Sequence, residues 1–266
     1  MNVVIVTYKN EASLTHLVDQ LYAEKNRPKV YVIDNANGEN KAIKRIAKSK
    51  EFVYLPSKNI GYGKAFNLAV EKFNLLQKNE PLFLLNDDVI LKENTLTNLI
   101  YFSKSLPSNW GYIAPKNVEE GKEFDNLLKQ NLKSNIEVDF LPASFWLLNT
   151  SALKKVGLFH RNFFMYGEDK ELSNRLNENK FKNYYCAEAE VIHSFDYSEL
   201  SLRMRYHFVK GNLTWILHDK RLNKRIVFLQ TVKMYLLHRG IKWWFPLFLA
   251  ILRVVLKYRK HEQIDK

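Results

Sequence analysis

The sequence predicts an α/β fold: a mostly parallel β-sheet flanked by helices, followed by a helical, basic C-terminal segment. Three observations support this class. Short apolar runs, typical of buried strands, alternate with segments of helical spacing through about residue 100. Several of these runs end at acidic or amide residues, and positive charge is concentrated after residue 199.

The first half of the chain shows the alternation clearly. Strands are predicted at 3–7, 30–33, 52–55 and 81–85. Helices are predicted between them, at 12–22, 40–49 and 65–73, and another around 94–103. In the first helix one face carries Leu14, Leu17, Val18 and Leu21. This alternation indicates a parallel sheet covered by helices on both faces.

The second half is less regular. Strands are predicted at 110–115, 138–148 and 184–193, with a helix after Glu168-Asp169. Residues 119–135 are polar and are predicted to form a mobile excursion. From about Leu200 the pattern predicts helices to the end, interrupted at Gly240 and Pro246.

Composition is that of a folded globular protein. The 266 residues are 46% hydrophobic and 26% charged, enough for one large domain or one domain with an appendage. The single cysteine, Cys186, excludes an intramolecular disulfide and fits a reducing compartment. The first apolar strand follows Met1-Asn2 directly, so we expect no signal peptide.

The C-terminal segment differs in charge from the rest of the chain. Residues 200–266 contain 15 Lys and Arg but 3 Asp and Glu, whereas residues 1–199 contain 26 and 25. Within this segment, 243–252 is an uninterrupted apolar run flanked by Arg239, Lys242, Arg253 and Lys257. The run is too short to cross a bilayer, but paired Trp with flanking cations suits a headgroup interface. We therefore expect association with an anionic membrane surface; the alternative is a terminal helix packed on the rest of the protein.

One strand end is the strongest candidate for a functional site. The run 81–85 leads directly into Asn86-Asp87-Asp88. Two adjacent carboxylates are costly to hold together unless a cation or water neutralises them. Ligands of open α/β sheets bind beyond the carboxyl ends of the strands, so this segment predicts a site for a divalent metal and a phosphorylated ligand. The alternative is a pair of surface acids preceding a helix.

Two further strand ends and one loop belong to the same half of the sheet. Thr7-Tyr8 and Asp34-Asn35 end the first two strands, and Asp34 is placed to accept hydrogen bonds from a nucleotide. Asp34 also fits an ordinary turn sequence. The loop 59–63, which reads Asn-Ile-Gly-Tyr-Gly, lies between a strand and a helix but lacks the signatures of a P-loop or dinucleotide fingerprint.

The second half offers two more candidates. Glu168-Asp169 stands between an aromatic run and a helix, where a carboxylate can act as a general base or simply stabilise the helix dipole. His193 ends the last strand and either serves the structure or complements Asp88 as a metal ligand.

Taken together, these motifs resemble glycosyltransferase family 2, inverting enzymes of the GT-A fold. The similarity extends from Val3 to about Ser194 and is closest to the rhamnosyl- and galactofuranosyltransferase-like subset of bacterial polysaccharide synthesis. The motifs, in order, are Val-Thr-Tyr at 6–8, Ile-Asp-Asn at 33–35, Asn-x-Gly-Tyr-Gly at 59–63 with Asn67, Leu-Asn-Asp-Asp-Val at 85–89, Phe-Phe-Met-Tyr-Gly-Glu-Asp-Lys-Glu-Leu at 163–172 with Arg175, and Val-Ile-His at 191–193. The subset usually has Asn-Pro-Asp where this chain has Asn86-Asp87-Asp88.

The resemblance implies a role for each matching residue. On the donor side it implies nucleotide-sugar contacts from Thr7, Tyr8, Asp34, Asn59, Gly61, Asn67, Asp87 and Asp88. Asp88 and His193 would hold a divalent metal, Mn²⁺ or Mg²⁺. Asp169 would be the catalytic base with Glu168 beside it, and Trp146 would contact the acceptor.

The resemblance also implies an organisation and a reaction. Residues 1–198 would form the GT-A catalytic domain, with a nucleotide-sugar half at about 1–100 and an acceptor half at about 101–198; 199–266 would form the membrane-associating tail. The chain would transfer a sugar from a UDP- or dTDP-sugar to a hydroxyl of a lipid-linked glycan acceptor. We expect it in the cytoplasm, peripheral on the inner face of the cell membrane.

Two other classes compete with this interpretation. A nucleotidyltransferase would use a similar sheet and acid pair, but the first loop, 7–11, lacks the glycines expected to grip a triphosphate. A non-catalytic polyanion- or membrane-binding protein would explain the charge alone. It leaves Asp34, Asp88 and Asp169 without a role, and the basic residues lie among Trp and Leu better suited to lipid, so we expect no nucleic-acid partner.

Overall fold

A computed structural model of the chain describes residues 1–118, 134–194, 200–219, 223–237 and 241–262. The strands within these ranges are β1 (Asn2–Thr7), β2 (Lys29–Asp34), β3 (Val53–Pro56), β4 (Leu82–Asn86), β5 (Ile90–Leu91), β6 (Trp110–Asn117), β7 (Ile136–Val138), β8 (Phe145–Leu148) and β9 (Lys182–Ile192). The helices are α1 (Glu11–Ala23), α2 (Lys41–Lys50), α3 (Tyr62–Lys72), α4 (Thr95–Ser105), α5 (Thr150–Val156), α6 (Glu168–Glu178), α7 (Leu202–His218), α8 (Lys224–Leu237) and α9 (Trp244–Glu262). Short 3₁₀ helices cover Leu75–Lys78 and Ile241–Trp243.

The described strands form a single sheet in the order β3-β2-β1-β4-β8-β6-β9-β5, with β7 paired to β9. Strands β3, β2, β1 and β4 are mutually parallel, and β8 runs antiparallel to both β4 and β6. The parallel half is built from successive strand–helix units, as the alternation predicted. The predicted α/β fold with a helical C-terminal segment is confirmed.

Helices cover both faces of the sheet because alternate residues of each buried strand point to opposite sides. On β1, Val4 and Val6 pack into one core cluster, whereas Val3 and Ile5 pack into the other. The second cluster also contains the predicted apolar face of α1, namely Leu14, Leu17, Val18 and Leu21. That face is fully buried, so the helical prediction for this segment is confirmed.

Polar side chains set the starts of several helices. The Asn40 side chain accepts hydrogen bonds from the backbone N–H groups of Ala42 and Ile43 at the start of α2. Asn149 accepts from Ser151 N at the start of α5. These caps satisfy amide groups that lack a partner within the helix, which is why each helix begins where it does.

Three details of the sequence prediction need correction or lie outside the described residues. The single strand predicted at 138–148 is two strands, β7 and β8, which pair with different neighbours and are separated by 139–144. Pro246 does not interrupt the last helix; it lies in the first turn of α9, where its missing N–H costs no helical hydrogen bond. Gly240, residues 119–133 of the polar excursion and the boundary at 198–199 lie outside the described residues.

The C-terminal helices have a core of their own and also contact the α/β body formed by the sheet and helices α1–α6. The described core residues of this cluster are Leu200, Val209, Leu213, Ile216, Tyr235, Trp243, Leu247, Ala250 and Val254. Helix α7 is joined to α6 by the Asn174 amide, which donates to Asp219 Oδ2 at 2.8 Å, and by Lys170, which lies 4.6 Å from the Trp215 ring centroid. Of the helices in the described parts of the chain, none is both long and apolar enough to cross a membrane.

Candidate active site

The carboxyl ends of three parallel strands bring the predicted donor residues to one edge of the sheet. In the register of the sheet, Thr7 of β1 pairs with Asp34 of β2, and Val6 pairs with Asn86 of β4. The polar residues that follow these strands therefore lie side by side. This is the arrangement expected at the ligand crevice of an open α/β sheet.

Asp87 is held against the end of β1. The Thr7 hydroxyl donates to Asp87 Oδ2 at 2.6 Å, and the backbone N–H of Tyr8 donates to the same oxygen at 3.3 Å. Burial raises the pKa of Asp87 to about 6, and the neighbouring charge of Asp88 adds to this, although the Thr7 hydrogen bond opposes it. Thr7 is fully buried, so in this structure it positions Asp87, whereas Tyr8 is 43% exposed at the edge of the crevice.

Asp88 faces His193, the residue predicted to share a metal with it; the metal site itself stays a prediction. The Nε2 atom of His193 lies 3.3 Å from Asp88 Oδ1 and 3.3 Å from the Asn86 amide nitrogen. Asn117 fixes the backbone of His193 by accepting from its N–H at 3.1 Å and donating to its carbonyl at 2.8 Å. The Asp88 side chain is 47% exposed, so its oxygens are accessible from solvent.

The Asp88 carboxylate and the His193 imidazole fit a divalent cation whose remaining coordination positions are filled by oxygens of a bound substrate or of water. Carboxylate and imidazole are accepted ligands for Mn²⁺, and Mg²⁺ sites commonly combine one or two carboxylates with substrate phosphates. In the described part of the chain, no three His, Cys, Asp or Glu side chains gather as a metal centre. A metal at Asp88 and His193 would therefore depend on the diphosphate of a ligand or on water.

Asp34 lies deeper than a direct nucleotide contact requires. Its side chain is fully buried and accepts hydrogen bonds from the Tyr54 hydroxyl at 2.8 Å and from the backbone N–H of Ala36 at 3.3 Å. Burial is the main factor that raises the pKa of Tyr54 to about 12, so this phenol stays protonated and donates. In this structure Asp34 orders the end of β2, and its contact with a base stays a prediction.

The loop before α3 is fixed by its neighbours. The Asn35 side chain donates to Asn59 Oδ1 at 3.3 Å and accepts from Ile60 N at 3.0 Å. Gly61 has φ +92°, and a Cβ there would lie 1.9 Å from the carbonyl oxygen of Phe164. Only glycine fits, because both the backbone angle and the close approach exclude a side chain. Residues 59–61 therefore connect the carboxyl end of β2, through Asn35, to the segment around Phe164 that leads into α6.

Glu168 and Asp169 are the first two residues of α6; Glu168 is buried and Asp169 is half-buried. Asp169 Oδ1 accepts from Lys170 N at 2.8 Å, and its Oδ2 accepts from Ala143 N at 3.4 Å. Glu168 is 5% exposed, and its Oε2 atom has no hydrogen-bond partner among the described residues. Asp169 is therefore oriented by two backbone donors, whereas one oxygen of Glu168 is buried without compensation.

Burial makes this pair hold protons at higher pH than ordinary carboxyls. Burial, followed by the negative charge of Asp169, raises the pKa of Glu168 to about 8. Burial also raises the pKa of Asp169, but its two backbone hydrogen bonds oppose the rise. Glu168 is therefore protonated near neutral pH, whereas two backbone hydrogen bonds favour the ionised form of Asp169.

Tyr62 is a site residue that the sequence prediction did not include. Burial raises its pKa well above the usual range, and the negative charges of Glu168, Asp169, Asp88 and Asp87 raise it further. Its phenol therefore lies among both acid pairs. One sequence signal points to Tyr62, namely its position inside the Asn-x-Gly-Tyr-Gly motif, but no spacing rule relates that motif to either acid pair.

The segment before β8 connects the two acid pairs physically. Asn86 donates its backbone N–H to the Ser144 carbonyl at 2.9 Å, and the Tyr62 hydroxyl donates to the Ala143 carbonyl at 3.0 Å. Ala143 in turn donates to Asp169. Backbone and side-chain hydrogen bonds thus join the end of β4 to the start of α6 through two residues.

Two predicted ligand contacts are not accessible in this structure. Trp146, predicted to contact the acceptor, is fully buried and stacks on Tyr112 with a centroid distance of 4.0 Å. Asn67, predicted to line the donor pocket, is buried, and its amide both donates to the Phe159 carbonyl at 2.8 Å and accepts from Phe159 N at 3.1 Å. In this structure both side chains pack in the core next to the site, Trp146 by ring stacking and Asn67 by hydrogen bonds to the backbone of Phe159.

The sheet order, the acids after β4 and the acidic start of α6 define the GT-A class of glycosyltransferase fold. A solved structure confirms the fold: the mannosyltransferase PcManGT from Pyrobaculum calidifontis in complex with GDP-Man and Mn²⁺ matches with a TM-score of 0.59 and 14% identity. The match covers 96% of this chain and 74% of that chain. An identity this low carries the fold alone.

Curated relatives agree with the resemblance found in the sequence. Rhamnosyltransferase WbbL of Escherichia coli (strain K12) is 24% identical over 254 residues, which cover 84% of this chain and 95% of the relative. The O-antigen chain rhamnosyltransferase RfbN of Salmonella typhimurium is 23% identical over 222 residues, covering 77% of this chain and 70% of the relative. No family model matches the chain. The predicted resemblance to bacterial polysaccharide glycosyltransferases is confirmed.

Proposed function

We propose that the chain is an inverting glycosyltransferase of cell-surface polysaccharide synthesis. It transfers a sugar from a UDP- or dTDP-sugar to a hydroxyl of a lipid-linked glycan acceptor. The observation that carries the proposal is the arrangement of two acid pairs around Tyr62: an exposed Asp88 with His193 on the donor side, and a half-buried Asp169 oriented by backbone donors on the other. The names of the two rhamnosyltransferase relatives support this reaction class.

On the donor side, Asp88 and His193 would hold the divalent metal, for which Mn²⁺ in the related mannosyltransferase structure is a precedent. When bound, the metal neutralises charge on the leaving diphosphate. Asp87, fixed by Thr7, keeps negative charge next to Asp88 and strengthens cation binding. The exposed Tyr8 offers a surface for the nucleotide at the same edge.

On the acceptor side, Asp169 would remove the proton from the attacking hydroxyl. Its two backbone donors fix the carboxylate, and its raised pKa makes it a better base than an exposed aspartate. One base opposite one leaving group supports a single displacement, in which the acceptor oxygen attacks the anomeric carbon as the diphosphate departs. Such a displacement inverts the configuration of the sugar.

We expect Asp88→Ala to abolish metal-dependent donor binding. Removing the carboxylate leaves His193 as the remaining predicted ligand, so Mn²⁺ and the donor diphosphate lose their shared contact. In a thermal-shift panel of UDP-, dTDP- and GDP-sugars, the wild-type protein should be stabilised by one nucleotide in Mn²⁺. That stabilisation should disappear in EDTA and in Asp88→Ala.

A matched control for this panel is Glu188→Ala, which also removes one exposed carboxylate, from the middle of β9 and five residues before His193. It should keep the metal-dependent shift. A wild-type protein that responds to none of the nucleotide sugars would contradict the proposed donor site.

We also propose that the C-terminal helices hold the protein on the cytoplasmic face of an anionic membrane. Helix α9 buries Leu247, Ala250 and Val254, which pack with Trp243 in the core of the C-terminal helices. Its other side exposes Trp244, Phe245, Phe248 and Leu252, each 48–64% exposed. Helix α9 is therefore apolar on both sides, and its exposed side is an apolar surface available for binding. Because this surface belongs to a strongly basic segment, we assign it to the interface of an anionic lipid bilayer.

Vesicle sedimentation tests this surface. Wild-type protein should bind vesicles of equal phosphatidylglycerol and phosphatidylcholine and lose most of that binding on pure phosphatidylcholine or in high salt. The double substitution Phe245→Ser and Phe248→Ser should weaken binding about tenfold or more, because each buried ring contributes about 1.5–3 kcal/mol. A control, Tyr101→Ser, alters an aromatic that is 78% exposed on α4 and should have no effect. Equal binding by all three proteins would overturn the assignment.

A further inference from the structure

A basic cavity lies where the C-terminal helices meet the catalytic body. Its volume is about 600 Å³, which is within the range of small-molecule sites. Four of its described lining residues are cationic, namely Lys64, Arg161, Lys210 and Arg253, and none is Asp or Glu. These four come from α3, the loop before α6, α7 and α9, so four separate segments direct positive charge to one space.

Cations gathered around one cavity create a positive potential that attracts an anionic ligand. Arg161 forms an ion pair with Glu71 at 3.2 Å, but that pair is exposed and lies at the protein surface. The imidazole of His207, also in the wall, is neutral at physiological pH because burial and then the charges of Lys210 and Arg203 lower its pKa to about 4. The geometry and charge fit a compact polyanion, and the paired donors of arginine suit phosphate oxygens.

The cavity adjoins the segment that leads to the proposed base. Phe164 lines it, and the Phe164 ring lies 4.6 Å from the ring of His207. The carbonyl of the same residue accepts from Tyr62 N at 3.0 Å. Four residues later the chain reaches Glu168 and Asp169, so the cavity wall and the proposed base share one short segment. This places the cavity beside the proposed base, on the acceptor side, and Asp88 is not among its described lining residues.

The cavity also borders the exposed apolar side of α9. Leu249 and Arg253 line the cavity, and they are one helical turn apart. Leu249 is likewise one turn from the exposed Phe245, and Arg253 follows the exposed Leu252 directly. A ligand with a phosphate group and an apolar chain would therefore meet the cations and the apolar surface together.

We propose that this cavity binds the phosphate or diphosphate group through which a lipid carries the acceptor glycan. The anionic group contacts Lys64, Arg161, Lys210 and Arg253, and the lipid chain follows α9 toward the membrane. The inference rests on the proposed function, since it assigns a binding site to the lipid-linked acceptor. It adds a substrate-binding role to the tail, which otherwise serves as an anchor.

Calorimetric titration of the purified full chain in EDTA tests the proposal, because chelation removes the metal on which donor binding depends. The probes are farnesyl diphosphate, inorganic diphosphate and farnesol. We expect farnesyl diphosphate to bind at least about tenfold more tightly than either of the others, since one lacks the chain and the other lacks the charge. Inorganic diphosphate binding as tightly would identify a free-phosphate site, and farnesol binding as tightly would identify an apolar site; either overturns the proposal.

Two variants locate the binding. Arg253→Glu should weaken the binding of farnesyl diphosphate about tenfold or more, and Lys210→Gln should also weaken it. The second variant keeps the test valid if the first fails to fold. The control Lys233→Glu changes the net charge as much as Arg253→Glu does, at an exposed position of α8 outside the cavity lining. It should bind within about twofold of wild type. Equal losses in Arg253→Glu and Lys233→Glu would show a general charge effect and overturn the site.

The outcome is separable from that of the donor experiment. Asp88→Ala should lose the nucleotide-dependent shift yet keep farnesyl diphosphate binding, because the cavity does not include Asp88. If no nucleotide sugar binds the wild-type protein but farnesyl diphosphate does, the glycosyltransferase proposal fails and the lipid-phosphate site stands. If the nucleotide sugar binds and farnesyl diphosphate does not, the cavity proposal fails alone.

Discussion

Replacing Asp169 with Asn should lower kcat for sugar transfer by about 100- to 10,000-fold while leaving metal-dependent donor binding intact. The substitution keeps the size of the side chain, and its carbonyl oxygen can still accept the hydrogen bond that Ala143 N gives to Asp169 Oδ2. It removes the ability to take a proton. The measurement is the transfer rate with a saturating nucleotide sugar, with the thermal shift of the donor as the check on binding.

Glu168→Gln distinguishes the two members of the pair. We expect a smaller loss, because Glu168 holds its proton near neutral pH, with a pKa raised to about 8 by burial and the charge of Asp169. A base works when deprotonated, so transfer should rise with pH across an acid limb above the usual range of an aspartate, because burial raises the pKa of Asp169. Full turnover in Asp169→Asn, with a large loss in Glu168→Gln, would reverse the assigned roles.

The parallel half of the fold could be predicted because each of its elements carries its own local signal. Leu14, Leu17, Val18 and Leu21 recur at helical spacing, and the strands around them are continuous apolar runs. The antiparallel half was harder. The predicted strand 138–148 divides into β7 and β8 because residues 139–144 turn away to reach Tyr112 and Asp169, and apolar composition alone does not reveal such a turn.

Residue type revealed the acids of the candidate site but not their partners. Asp88 and His193 are 105 positions apart in the sequence and meet because β5, which follows Asp88, pairs antiparallel with the end of β9, with Ile90 opposite Ile192. Tyr62 reads as one aromatic residue in a loop motif, and its place among four carboxylates depends on tertiary packing. Asn67 and Trp146 show the reverse situation: motif position suggests ligand contacts, whereas in this structure both side chains are buried in the core, and their ligand contacts stay predictions.

The contact between the tail and the turn before α6 depends on two glycines. A Cβ at Gly211 of α7 would lie 2.0 Å from the Tyr166 carbonyl oxygen, and a Cβ at Gly167 would lie 2.8 Å from the Gly211 carbonyl oxygen. Backbone therefore meets backbone without a side chain between them. Gly167 immediately precedes Glu168. The positions of Glu168 and Asp169 are therefore coupled to the packing of α7 through this contact.

We expect Gly211→Ala to destabilise the protein by about 1–3 kcal/mol and to reduce transfer, because the new methyl group must push α7 away from the turn at Tyr166. The sign of the effect is informative. Alanine favours a helix interior by about 1 kcal/mol over glycine, so without the close contact the same substitution would stabilise α7. Chemical denaturation of the full chain measures the change, and the transfer rate reports its effect on the active site.

Gly38→Ala provides the control, since Gly38 has φ +130° but open space within 4 Å of a new Cβ. It should cost about 1 kcal/mol of backbone strain and leave transfer unchanged, because nothing there touches α6. A Gly211→Ala variant more stable than wild type would show that the backbone of α7 does not closely contact the turn at Tyr166. The tail would then be a separable anchor, and loss of activity on its removal would have to arise from the lipid rather than from the position of Asp169.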